Sequence, residues 1–154
     1  MRDELMNLLR LKGILRQGWV NAGVPSPESV AAHSWGMAVL ALRLCPSDLD
    51  LTKVLSLCLI HDIPEVLVGD LTPLDDRSTK AEDEHAAMLS LAPQWIALFE
   101  EYEGRSSEEA VFVHRLDKLD MALQAALYTE ETGLNLEAFV ESARTTLGDD
   151  PLLG

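Results

Sequence analysis

Apolar residues recur along this chain at intervals of three and four, the period of helices that bury one face. Leu5, Leu8, Leu9 and Leu15 follow that spacing and predict a first helix from about Asp3 to Leu15, with Lys12 and Arg16 near its C-terminal end. Gln17 to Pro25 is rich in breakers and reads as a loop. Ser26 as cap with Pro27 in the first position predicts a second helix to about Leu44, apolar nearly all round and therefore central. Asp50 or Thr52 caps a third, whose run Val54-Leu55-Ser56-Leu57-Cys58-Leu59 is too apolar for a surface segment. Thr79 with Glu82 forms the pattern of a capping box for a fourth helix to about Leu91. Pro93 opens a short helix containing Trp95 and Phe99, and Glu100 to Gly104 reads as an acidic turn. Ser106 with Glu109 makes a second capping box for a long helix to about Glu131, its stripe being Phe112, Leu116, Leu119, Leu123 and Leu127, widened by Val113 and Met121. A last helix runs from Asn135 to about Leu147. With no repeat or linker in between, the pattern predicts an all-α bundle of about six helices in a single domain over residues 1–154.

Composition agrees with helices: 47% of residues are hydrophobic but only 5% aromatic, which favours packed helices over a β-sandwich. The formal net charge of −14 repels polymeric nucleic acid and anionic membrane, so an anionic ligand needs local cations or a metal. Cys45 and Cys58 form no CxxC or Cys/His cluster and read as reduced core residues of a cytoplasmic protein. Met1 to Glu4 precede a mixed segment rather than a signal-peptide core, and no apolar run reaches the ~18 residues that span a bilayer.

The chemistry concentrates where the third helix ends, at His61-Asp62-Ile63-Pro64-Glu65. A histidine and an aspartate behind so apolar a run are costly to bury unpaired, so they need a hydrogen-bonded partner or a metal. On a continuous helix His61 and Glu65 share a face, and Pro64 should kink or loosen that helix just beyond the pair. His33 is the strongly polar inward candidate of the second helix. A lone histidine there is ordinarily a satisfied core residue, unless it meets His61 and Asp62 in space. Asp117 and Asp120 flank the long helix's stripe, where an aspartate is usually a solvated or salt-bridged edge residue. Together His33, His61, Asp62 and Asp117 would supply two imidazoles and two carboxylates, a donor set suited to Mn²⁺, Co²⁺, Zn²⁺, Fe²⁺ or Mg²⁺ and unlike a thiolate zinc site. Arg16 and Trp19 read plainly as a helix-end cation and a lid on the core, and more sharply as an anion clamp beside an aromatic wall.

Arg16-Gln17-Gly18-Trp19-Val20, Pro27 to His33, His61 to Glu65 with Gly69-Asp70, and Leu116-Asp117-Lys118-Leu119-Asp120-Met121 together resemble the HD-domain phosphohydrolases, in order and over roughly residues 5 to 130. The nearest likeness is to the 5′-deoxynucleotidases and the HD domain-containing protein 2 family. That resemblance implies one divalent metal held by His33, His61, Asp62 and Asp117, and hydrolysis of deoxynucleoside 5′-monophosphates. It places Glu65 as general acid or base, Asp70 beside the substrate and reacting water, Arg16 on the phosphate and Trp19 at the sugar. Arg and Trp are adjacent in the bacterial deoxynucleotidases, whereas two residues separate them here. Two alternatives remain: a dinuclear iron oxygenase using His85 and His114 as extra ligands, and a nucleotide-binding module without turnover. A homodimer is the expected form if the chain self-associates.

Overall fold

The computed structural model describes residues 1–154 and is all helical. In order the elements are α1 (Arg2–Leu9), a 3₁₀ turn (Arg10–Gly13), α2 (Gln17–Asn21), α3 (Val30–Leu44), α4 (Leu51–Ile60), α5 (Glu65–Val68) and α6 (Lys80–Leu91). A second 3₁₀ turn (Pro93–Trp95), α7 (Ile96–Gly104), α8 (Glu108–Thr132), α9 (Glu137–Leu147) and a final 3₁₀ turn (Pro151–Leu153) complete the chain. The six or so helices expected are thus seven of eight residues or more, with α2 and α5 as short additions.

Helix α8 is the axis. Its buried residues are Ala110, Val113, Leu116, Leu119, Ala122, Ala125 and Tyr128, a stripe in which small residues let the neighbouring helices approach closely. The expected stripe was rotated from this one: Leu127 is half exposed, and Phe112 and Leu123 are only partly covered. Against the N-terminal half of α8 pack Met37 and Ala41 of α3 and Val54, Leu57 and Cys58 of α4. Against its C-terminal half pack Trp19, Val24 and Leu136, while Ala143 and Leu147 of α9 join Leu119 and Ala122. Truncating a fully buried member such as Leu57 or Leu116 to alanine would cost about 2–5 kcal/mol.

Several helix starts differ from expectation for local reasons. Ser29, not Ser26, caps α3, its Oγ accepting from Ala32 N–H at 3.1 Å. Residues before it are held extended: Arg16 N–H donates to the Glu28 carbonyl (3.0 Å) and Val30 N–H to that of Ile14 (2.7 Å), closing an antiparallel bridge between Leu15 and Ser29. The first helix ends early, at Leu9, and Leu5, Leu9 and Leu15 are exposed, with Leu11 as the buried residue of that segment. Ser107 rather than Ser106 caps α8, and Glu109, freed from a capping box, accepts from Asp50 N–H (3.2 Å). Thr79 makes no capping bond to the backbone; its hydroxyl donates to Asp83 at 2.7 Å. Glu100 to Gly104 is helical, because Phe99 and Tyr102 bury one face of α7. Asp50 does cap α4, accepting from Thr52 and Lys53 N–H. No helix is long and apolar enough to cross a membrane.

Candidate metal centre and binding cavity

Helix α4 stops at Ile60, and His61 to Pro64 form a turn before α5. Pro64 has no N–H to continue the helical ladder, and the helix ends at the pair. His61 and Glu65 therefore do not share the face of one continuous helix, yet both line the same cavity. His33 arrives from the first turn of α3 and Asp117 from the middle of α8.

The structure brings His33, His61 and Asp62 into one group, with donor atoms all within 4.8 Å of one another. Asp117 joins from the side of His33, its Oδ1 lying 3.0 Å from His33 Nε2. Asp62 Oδ2 is 3.0 Å from His61 Nε2 and 3.9 Å from His33 Nε2. Both imidazoles are buried, and both Nε2 atoms lack a hydrogen bond of proper geometry. Their other nitrogens are committed. His61 Nδ1 lies 2.8 Å from the Cys58 carbonyl, which can only accept, so the proton sits on Nδ1 and Nε2 presents a lone pair. His33 Nδ1 lies 2.6 Å from Asp120 Oδ2, which orients the second ring in the same way.

With both rings neutral, two imidazole lone pairs face two carboxylates, an arrangement of acceptors with no donor among them. A divalent cation resolves it. Ligands at ~2.1 Å from an ion and at right angles lie ~3.0 Å apart, which matches the two short contacts. The residues present fit a nitrogen/oxygen site for such an ion. With no cation counted, burial and Arg16 pull the His33 pKa down, but Asp117 and Asp120 outweigh them and raise it to about 9. Burial opposes ionisation of Asp62, yet His61, His33 and Arg16 bring it down to about 2. Asp117, likewise buried, is pulled well below the carboxylate range by His33 and Lys118.

Around the cluster opens a cavity of about 890 Å³. Glu65 lines it with its side chain 4% exposed and Oε2 unpartnered. Burial, reinforced by Asp62 and Asp70, pushes this carboxyl up to about 10. Asp70 accepts from Gln17 N–H at 2.7 Å and so ties the start of α2 to the cavity wall. Arg16, immediately before α2, stands among the charges of Asp117, Asp62, Asp70 and Glu65, which raise its pKa against the effect of burial. Trp19 covers the core and borders the cavity. It is 1% exposed, packs on Phe139 (4.4 Å between ring centroids) and Tyr128 (5.3 Å), and also lines the cavity. Its Nε1–H donates to Glu28 Oε1 at 3.0 Å.

His85 lies apart, paired with Glu100 at 2.9 Å on the surface. His114 lines the cavity but stacks on Tyr102 and donates Nε2–H to that residue's carbonyl (2.8 Å), so neither histidine joins the cluster. Periodicity alone gave no role to Glu28 or to the cavity cations Arg77, Lys80 and Arg105, and placed Asp120 only at the edge of the α8 stripe. Asp120 carried one signal, being one helical turn beyond Asp117. Glu28 carried none, since its place depends on the bridge between Leu15 and Ser29.

Residues 8–150 match the family model described as HD domain. Over 141 residues the chain is 40% identical to the 5′-deoxynucleotidase HDDC2 of Bos taurus, covering 82% of this chain and 69% of that protein. It is 34% identical over 135 residues to the 5′-deoxynucleotidase hdd1 of Schizosaccharomyces pombe, covering 79% and 68% respectively. Among solved structures, a Pyrococcus horikoshii protein superposes with a TM-score of 0.84 at 32% identity, over 97% of this chain and 95% of that one. A protein of Magnetospirillum magnetotacticum, described as a predicted metal-dependent phosphohydrolase, superposes with a TM-score of 0.75 at 29% identity, over 99% and 82%.

Proposed function

The chain belongs to the HD domain family, and from that premise we propose that it is a metal-dependent 5′-deoxynucleotidase. As a single domain over residues 1–154 it would hydrolyse deoxynucleoside 5′-monophosphates to deoxynucleoside and inorganic phosphate. The observation that carries the proposal is the pair of buried Nε2 atoms, His33 and His61, aimed at Asp62 and Asp117 and without a hydrogen bond of proper geometry. His33, His61, Asp62 and Asp117 are the residues that hold the ion. When bound, a divalent ion supplies the positive charge that offsets the phosphate and lowers the pKa of an attacking water.

The remaining work falls to side chains of the cavity. Arg16 grips non-bridging phosphate oxygens with its planar fork, which a −14 protein needs for a dianion. Glu65, held protonated by burial and by Asp62 and Asp70, hands its proton from Oε2 to the departing 5′-oxygen as the P–O bond breaks. Asp70 keeps Arg16 in register by holding Gln17 N–H, while one of its faces is left for the reacting water. Trp19 and Phe139 wall off the sugar side and exclude solvent. A panel of metals against ribo- and deoxyribonucleoside 5′-monophosphates, read as phosphate release, tests the proposal. Metal-dependent release from deoxyribonucleotides is expected. Release that is unaffected by chelation, or none with any nucleotide, would refute it.

A further inference from the structure

Helix α3 carries a glycine where helix formation disfavours one. Gly36 lies in the interior of α3, and it is not among the glycines with positive φ, so no backbone conformation calls for it. What calls for it is a neighbour. A Cβ built on Gly36 would lie 2.1 Å from Asp120 Oδ1 and 3.1 Å from its Cγ. The Asp120 carboxylate thus rests directly on the α3 backbone, in space that alanine would fill.

From that seat Asp120 Oδ2 reaches His33 Nδ1 at 2.6 Å, a short charge-assisted contact to a fully buried ring. His33 and Gly36 stand one turn apart on α3, as do Asp117 and Asp120 on α8. The imidazole is therefore clamped edge to edge, with Asp120 on Nδ1 and Asp117 on Nε2. Only with the proton on Nδ1 does Nε2 offer its lone pair towards Asp62 and Asp117.

We propose that Asp120 is the positioning residue of the metal centre, setting the tautomer and angle of His33, and that Gly36 serves to admit its carboxylate. The proposal rests on the reading of His33 as a metal ligand. Asp120 does not touch the phosphate or the ion; it acts through the ring. Partners of this kind are typically worth 10–100-fold in metal affinity.

The test is a double-mutant cycle on the full-length chain, stripped with chelator and titrated with Mn²⁺ by calorimetry, with thermal midpoints measured alongside. Gly36→Ala and Asp120→Ala should each weaken Mn²⁺ binding by about 10–100-fold. In the Asp120→Ala background the added methyl meets no carboxylate. There Gly36→Ala should leave Mn²⁺ affinity unchanged and raise the thermal midpoint by about 2–4 °C through helix propensity. Asp120→Asn, nearly isosteric, covers the case in which Asp120→Ala does not fold; its amide can present N–H to Nδ1 and so favour the wrong tautomer, and weakened binding is again expected. A merely structural contact would lower stability without this background dependence of affinity. Equal losses of affinity from Gly36→Ala in both backgrounds, or wild-type affinity in Asp120→Asn, overturn the proposal. If the wild-type chain itself binds no Mn²⁺ or Co²⁺, the metal reading fails first and takes this proposal with it.

Discussion

Removing the metal should make stability depend on pH in a direction the site dictates. In the metal-free chain His33 is raised from an ordinary value of 6.5 to about 9 by Asp117 and Asp120, against the pull of burial and Arg16. A raised histidine contributes stability that is fully present below its unfolded value and lost as pH rises through its folded one. The window is therefore pH 6.5 to 9, and the gap corresponds to roughly 3 kcal/mol. For a chain of this size that is about 6–12 °C in Tm. Glu65, also raised, acts in the same direction, because above its ordinary carboxyl range it releases a proton on unfolding, which favours the unfolded chain more as pH rises. Asp62 and Asp117 are lowered, so their contribution is already complete above the carboxylate range and stays constant in this window. The assay is urea denaturation of chelated protein from pH 6 to 9.5, in the wild type and in Glu65→Gln, which isolates His33. With an ion bound, the His33 lone pair is engaged and the slope should largely vanish. Metal-free stability that is flat or rises with pH in Glu65→Gln would refute the placement of His33 between Asp117 and Asp120.

Other expectations follow from the cavity. Glu65→Gln keeps shape and metal but removes the proton, so kcat should fall by roughly 10²-fold or more, and activity within a few-fold of wild type would pass the proton to Asp70. Arg16→Lys keeps the charge and loses the fork, so kcat/KM should drop, and Arg16→Ala should lose roughly 2–4 kcal/mol of transition-state stabilisation. Unchanged kcat/KM in either would make Arg16 a structural cation only. Because Trp19 is buried against Phe139 and Tyr128, Trp19→Ala should lose about 3–5 kcal/mol of stability by denaturation. Trp19→Phe, which keeps the packing but strands Glu28 Oε1, is the cleaner probe; it should narrow the preference for deoxyribose over ribose in competition assays, and an unaltered preference would remove Trp19 from sugar recognition.

Much of the site was legible because its residues punctuate apolar periodicity. His33 and the His61-Asp62 pair interrupt two strongly apolar runs, and burial of such groups demands partners. What stayed hidden depends on contacts between distant segments. The start of α3 at Ser29 follows from pairing of residues 14–16 with 28–30, which no local propensity encodes. Ser106 and Ser107 are equal candidates locally; the approach of Glu109 to Asp50 accompanies the choice of the second. The rotation of the α8 stripe towards Ala110, Ala122 and Ala125 was missed because small residues carry little hydrophobic signal although they mark the closest helix contacts. Asp120 looked like an edge residue for want of Gly36 beside it, a relation visible only in three dimensions.

Helix α8 joins two kinds of constraint in one rigid rod. Asp117 and Asp120 project from the same turn as Leu116 and Leu119, and the rod leans on buried alanines at both ends. A carboxylate oxygen stands ~6 Å from a helix axis, so a roll of only ~10° displaces it by ~1 Å, several times the ~0.2 Å that ligand distances tolerate. A bulkier residue at Ala122 or Ala125 could be absorbed by such a roll with the bundle still assembled. Drift at these interior positions would therefore silence the enzyme before it unfolds it. Selection on catalysis reaches deep into the packing here, and inactive yet well-folded descendants are the expected fossils of its relaxation.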